Sequence, residues 1–282
     1  MTNGSSNPAS PTAEVRILHV SDTHLSQRAP EANRNWSAVV RHAATTKPDL
    51  VVHTGDLTLD GAARRDDLVH ARAALAELDA AGVPWVIVAG NHDLGDAPPT
   101  AHPVDDARRR AFAREVGESF WALELGGWRL VGADVQTLAT PGAAADELWS
   151  RLEAALVPGP PTALFIHRPL FEECLDEEVT VPSRYLAAAT RDRLWALGQR
   201  ASTRLVASGH VHQWRQRSLD GCEHVWAPSS WASLPDSMQP VIGDKVTGVV
   251  EYGLGADVRA TLVQPAGLDQ LVIGVDFPLP YG

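Results

Sequence analysis

Five short, mostly apolar runs recur along this chain of 282 residues, and each gives way at once to polar residues. They are "VRILHV" from Val15, "DLVVHT" from Asp49, "PWVIVA" from Pro84, "TALFIH" from Thr162 and "RLVASG" from Arg204. Strands covered on both faces need near-continuous apolar runs of this length. Helical patterns lie between the runs. Trp36, Val39, Val40 and Ala43 share one face, as do Leu68, Ala71, Leu75 and Leu78. The second of these helices stops at Gly82, with Pro84 just beyond, a normal C-terminal signal. Further helices are predicted near 104–116, 145–156 and 189–200. Alternating strands and helices imply an α/β fold.

Two hairpins are predicted, one turning at Gly126-Gly127 and one at Asp220-Gly221. The stretch from Val246 to Leu262 reads as two more strands. Residues 1–14, rich in Ser, Asn, Pro and Thr, read as a disordered lead-in. Beyond them there is no repeat, linker or break in composition, so residues 15–282 are expected to form one domain.

The formal net charge is −11 and no basic run stands out, which weighs against a nucleic-acid polymer as partner. The N-terminus lacks the basic and apolar segments of a signal peptide, and no apolar run approaches the ~18 residues of a membrane span. A cytoplasmic location is expected, and self-association is left open. Cys174 and Cys222 are too few for a disulfide framework and read as free thiols in a reducing compartment.

The residues that follow the strands carry the chemistry. "HVSDTHL" supplies Asp22 and His24, "HTGDLT" Asp56, and "AGNHD" Asn91 and His92. "FIHRP" supplies His167, and "SGHVH" His210 and His212. Each motif alone has an ordinary reading, such as a helix cap in "SDTH" or a turn in "TGD". Their recurrence at five strand ends does not, because ligands of open α/β sheets bind beyond the carboxyl ends of the strands. Gly55, Gly90 and Gly209 precede polar residues and are expected to supply the sharp turns there. Leaving His92 aside, two carboxylates, one amide oxygen and four imidazoles make seven donors. That exceeds the usual four of one Zn²⁺ site and suits two ions sharing a bridging carboxylate. With no cysteine in the set, Mn, Fe, Zn and Co remain candidates. Two ions ~3.5–4 Å apart form a clamp for in-line displacement at phosphorus, with a hydroxide as nucleophile.

The order D-x-H … G-D … G-N-H-D … H … G-H-x-H, from Asp22 to His212, resembles the calcineurin-like metallophosphoesterases. The resemblance implies a four-layer α/β/β/α sandwich of two mixed sheets flanked by helices. It implies that Asp22, His24 and His212 hold a first metal, that Asp56 bridges, and that Asn91, His167 and His210 hold a second. His92 would stay off the metals and act as an acid toward the leaving group. The continuations "GDLTLDG" and "GNHD" depart from the "GD-x-x-D-R-G" and "GNHE" of protein Ser/Thr phosphatases. They look more like small bacterial phosphodiesterases of the glycerophosphodiesterase and class III cyclic nucleotide type.

The expectation is therefore a phosphodiesterase for small substrates. A broad phosphomonoesterase and a non-catalytic binding module of the same fold are the alternatives. Between His167 and His210, the acids Glu172, Glu173, Asp176, Glu177 and Glu178 precede Arg184 and Tyr185. They are read as a rim over the metals, with Arg184 or Tyr185 touching the phosphate. His19 and His53, inside strands, are expected to be buried packing residues.

Overall fold

The computed structural model describes residues 14–97, 100–178 and 183–278; the lead-in thus lies outside the described residues apart from Glu14. The chain runs β1 (Val15–Val20), α1 (Pro30–Thr46), β2 (Leu50–His53), α2 (Arg65–Ala80), β3 (Trp85–Ile87), α3 (Asn91–Leu94) and α4 (Asp106–Glu115). Then come the hairpin β4 (Trp121–Leu125) and β5 (Trp128–Ala133), α5 (Val135–Leu138), α6 (Ala143–Ala155), β6 (Thr162–Ile166), α7 (Ala188–Arg200) and β7 (Thr203–Ser208). The chain ends in the hairpins β8 (Arg215–Leu219) and β9 (Cys222–Trp226), then β10 (Val249–Leu254) and β11 (Val258–Val263). The predicted strands, longer helices and hairpins are all present. The one-turn helices α3 and α5 have no sequence period long enough to reveal them.

Two mixed sheets form. The first has the order β11-β10-β1-β2-β3 and the second β4-β5-β6-β7-β9-β8. β1, β2 and β3 run parallel, as do β5, β6, β7 and β9. β10 pairs antiparallel with β1, placing Val15 opposite Leu254.

Period-2 alternation explains the layering. Ile17, Leu50 and Val52 point into an apolar seam with Ala163, Phe165 and Leu205 of the second sheet. Their neighbours Leu18, Val20 and Val51 point outward onto Trp36, Val39, Leu68 and Leu75 of α1 and α2. Leu164, Ile166 and Val206 of the second sheet likewise meet Leu148, Leu152 and Leu194 of α6 and α7. This double coverage is why the strands read as continuous apolar runs, and it builds the helix–sheet–sheet–helix sandwich. β1, β2, β3, β6 and β7 all end at the edge where the two sheets meet. Their apolar residues hold the seam, and the polar residues after them gather beyond it.

Candidate metal centre

All eight residues singled out at strand ends come together at one place. Asp22, His24 and His212 form one group, Asp56, His167 and His210 another, and His24, Asp56 and His92 a third that overlaps both, with donor atoms mutually within 4.8 Å in each. In the first group His24 Nε2 lies 3.3 Å from His212 Nε2, and His212 Nε2 lies 3.4 Å from Asp22 Oδ1. In the second, His167 Nε2 lies 3.3 Å from Asp56 Oδ2, 3.2 Å from His210 Nδ1 and 3.2 Å from Asn91 Oδ1. Asp56 stands between the first two groups, since its Oδ2 is also 3.9 Å from His24 Nε2. His92 Nε2 lies 4.0 Å from the same oxygen, so this ring borders the cluster and is within reach of it.

Backbone carbonyls set which nitrogen faces the centre in the rings of His92, His167, His210 and His212. His167 Nδ1 donates to Thr54 O at 2.7 Å, His212 Nδ1 to Ala232 O at 2.8 Å and His92 Nδ1 to Leu59 O at 2.8 Å. A carbonyl can only accept, so Nδ1 carries the hydrogen, and in the neutral ring Nε2 keeps its lone pair. His210 is reversed. Its Nε2 donates to Ser183 O at 2.8 Å, which leaves Nδ1 to face His167. Lone pairs that converge without hydrogens between them are what a cation requires. Asp22 adds to this: its Oδ2 accepts the His210 N–H at 2.9 Å, while its Oδ1 is buried with no hydrogen-bond partner among the described residues. A buried carboxylate oxygen left so is costly unless it meets a cation. By donor type, lone-pair direction and the orphaned oxygen, the residues fit a pair of metal ions.

The charges agree. Burial, and then neighbouring histidines, hold His24 well below the ordinary imidazole pKa, as burial and Arg168 do for His210. Burial alone would raise Asp22 and Asp56, but the imidazoles beside them outweigh it and keep both below the usual carboxylate range. Burial works against charge on His167, yet the Asp56 carboxylate prevails and lifts it to about 9.

The ligand backbones are unusual. Asp22, His24, Asp56, His210 and His212 all have left-handed φ, between 47° and 68°. Asp and His enter this region more readily than most residues, though with strain. The turns are thus made largely by the ligands themselves. Of the three glycines expected to make them, only Gly55 has positive φ, at 95°. Gly90 and Gly209 are needed for space instead. A Cβ on Gly90 would collide with Asp56 Oδ1, and one on Gly209 with Ser21 Oγ and Asp22 Oδ2.

Other residues came out differently from the reading of the sequence. Asp93 is the last residue of "GNHD". Its buried carboxylate accepts from Leu57 N, Thr58 N, Thr58 Oγ1 and Gly90 N at 2.6–3.1 Å, bracing the loops of Asp56 and Asn91 together. Burial and the Asp56 charge raise its pKa to about 6. Trp231 backs the His24 ring at a centroid distance of 4.8 Å.

The acidic rim is not an open one. Glu173 pairs with Arg215 and Arg217, and Glu177 accepts backbone N–H groups from Glu172, Glu173 and Cys174. Tyr185 is buried beside Trp226, and its hydroxyl donates to Glu172 Oε2 at 2.7 Å. This placement turns Tyr185 inward and leaves Arg184, next to it and partly exposed, as the outward member of the pair. His19 and His53 are buried as expected, with His19 bonded to Tyr252 and Thr54 and His53 to Thr23. Both cysteines are free. Among the described residues, no helix is long and apolar enough to cross a membrane.

The family model described as Calcineurin-like phosphoesterase matches residues 15–214. This chain belongs to that family. The serine/threonine-protein phosphatase CPPED1 of Danio rerio is 30% identical over 206 residues, covering 69% of this chain and 64% of that protein. The DNA double-strand break repair protein Mre11 of Haloferax volcanii is 38% identical over 86 residues, 28% of this chain and 20% of that one. The chain thus spans less than two thirds of either relative. Among solved structures, purple acid phosphatase PPD1 from yellow lupin superposes with a TM-score of 0.67 at 18% identity. That match covers 92% of this chain and 53% of the lupin chain, and it shows the shared fold. The family model ends before β8, so β10 and β11, which complete the first sheet beside β1, lie beyond it.

Proposed function

We propose that this family member hydrolyses phosphodiesters of small molecules at a dinuclear metal centre, with His92 as the acid for the leaving group. The convergence of seven donors from five strand ends, with His167, His210 and His212 each fixed in the tautomer that turns a lone pair inward, carries the reading. Asp22, His24 and His212 would hold one ion, Asn91, His167 and His210 the other, and Asp56 both. When bound, Mn, Fe, Zn or Co ions supply a hydroxide nucleophile at neutral pH and neutralise the phosphoryl oxygens.

The chain's own part is positioning and proton transfer. The P–O bond to the leaving alcohol breaks as the nucleophile adds, and the departing oxygen needs a proton. His92 is suited to give it. Its backbone N–H is tied to Asp56 Oδ1 at 2.8 Å and its Nδ1 to Leu59 O, so the ring cannot turn its Nε2 away from the centre. Buried Trp231 closes the wall behind His24.

Two observations support diesters. A net charge of −11 repels a dianionic monoester more than a monoanionic diester. A cleft of about 430 Å³ lined by Asn91 and His92 gives a substituent room. The second reading is a broad phosphomonoesterase, and similarity to CPPED1 over 69% of this chain favours it. The test compares kcat/KM for bis(p-nitrophenyl) phosphate and p-nitrophenyl phosphate on metal-loaded protein. The diester should win, and a clear monoester advantage selects the second reading. Activity that survives full metal removal rejects both.

A further inference from the structure

The cleft that contains Asn91 and His92 is also lined by Arg28, Arg64 and His102. Two arginines thus stand in the cavity of the phosphoester centre, alongside the aspartates Asp60 and Asp96. Neither guanidinium is spent on its partner. Arg28 is pinned through Nη2 to Asp67 Oδ2 at 2.9 Å, and Asp67 is itself held by Ser26 Oγ at 2.6 Å. Four of the five N–H donors of an arginine remain after one such bond. Arg64 approaches Asp60 only to 3.9 Å, beyond hydrogen-bond length.

Both arginines stand at one helix start. Arg64 is the N-cap of the 16-residue α2, no side chain caps that end, and Asp67 in its first turn is the residue that holds Arg28. The partial positive charge of the helix adds to the two guanidinium groups and is opposed by the carboxylates of Asp66 and Asp67 in its first turn, the second of which pairs with Arg28. The cleft's acids are Asp60 and Asp96, and buried Arg168 neutralises Asp96 from the side at 2.7 Å.

We infer that this cleft holds a second phosphate, carried by the leaving group: the substrate is a phosphodiester whose departing alcohol is itself phosphorylated. The inference rests on the phosphoesterase reading of the centre. His92 faces the leaving oxygen in that reading, so the group that departs occupies the cavity His92 lines. Arginine forks and an open helix N-terminus are the elements that recognise phosphate oxygens. Arg28 and Arg64 bind and orient this group and take no part in bond breaking.

The experiment measures kcat/KM of the metal-loaded protein on a dithymidine phosphodiester, with and without an additional terminal phosphate. The phosphorylated form should be preferred by roughly tenfold or more, the usual worth of one hydrogen bond to a charged group. Arg64→Gln and Arg28→Gln should each cut that preference severalfold through KM, and Arg64→Lys should keep part of it. Since the reading is a ratio of two substrates, a general loss of folded protein cancels. A wild-type ratio near one, or a ratio unchanged in both Gln variants, overturns the second-phosphate site while leaving the phosphoesterase reading intact. Failure to hydrolyse either dithymidine substrate or bis(p-nitrophenyl) phosphate overturns both.

Discussion

His167 Nδ1 lies 2.7 Å from the carbonyl oxygen of Thr54, a hydrogen bond that crosses from one sheet to the other. His167 follows β6 of the second sheet and Thr54 follows β2 of the first. The bond fixes the ring and sends Nε2 toward Asp56, Asn91 and His210 at once. Asp56 thereby faces imidazoles of the first two donor groups. Asp56→Asn should be the most damaging change of a ligand, with metal content falling at both positions. Asn91→Ala should deplete mainly one ion. Metal analysis of the purified variants checks this, and equal loss of both ions from Asn91→Ala would contradict the division of ligands.

Gly209→Ala tests the claim that close approach, not turn geometry, demands glycine. The added methyl would overlap Ser21 Oγ and Asp22 Oδ2 and push the carboxylate off the centre. Overpacking of this kind costs about 1–3 kcal/mol. Thermal melts should show that loss, and metal titration should show weakened binding. Gly255→Ala, where the nearest atoms are 3.8 Å away, should show neither.

His92→Ala should retain both ions and lose roughly 10²–10⁴ in kcat on alkyl or nucleoside esters, the usual range for general acid–base catalysis. The loss should be smaller on nitrophenyl esters, whose leaving group departs without a proton. Equal losses on the two substrate types would make the ring a phosphate binder or a water positioner. Loss of metal would make it a ligand, a role its 4.0 Å approach to Asp56 permits.

His224 gives a prediction remote from the centre. Burial against Phe171 and Trp195 lowers its pKa to about 4. Between the ordinary value of 6.5 and that value, the unfolded chain binds a proton that the folded chain refuses. Stability contributed by this residue is therefore present above pH 6.5 and lost as pH falls toward 4, by on the order of 3 kcal/mol. His19 and His53 are shifted in the same direction. Denaturant unfolding at neutral and acid pH should show a smaller acid loss in His224→Phe than in the wild type. An equal loss would remove His224 from the account.

Much of this was legible in the sequence, for a physical reason. Strands covered on both faces announce themselves as apolar runs, and their ends must carry whatever chemistry the sheet edge performs. Asp22, His24, Asp56, Asn91, His92, His167, His210 and His212 could be picked out that way. What fixes their tautomers could not. The acceptors are backbone carbonyls of Thr54, Leu59, Ser183 and Ala232, and a carbonyl has no residue identity to read. Gly90 and Gly209 misled because a glycine demanded by a neighbour's side chain looks like one demanded by φ. Glu173 read as part of an open rim because its cations, Arg215 and Arg217, lie about forty residues away in sequence. Pairing of β1 with β10, from Val15 to Leu254, is another long-range fact beyond local patterns.

Each of the first two donor groups draws on both sheets: Asp22 and His24 against His212, and Asp56 and Asn91 against His167 and His210. An ion in either position is therefore a cross-link between two halves that elsewhere meet only through side-chain packing and hydrogen bonds. Prising the sheets apart at that edge and releasing the ion are one event with one free energy. Any ligand that binds the folded form alone raises stability by RT ln(1 + [L]/Kd). The same linkage runs in reverse, so substitutions that loosen the apolar seam, far from any donor atom, should weaken the grip on metal.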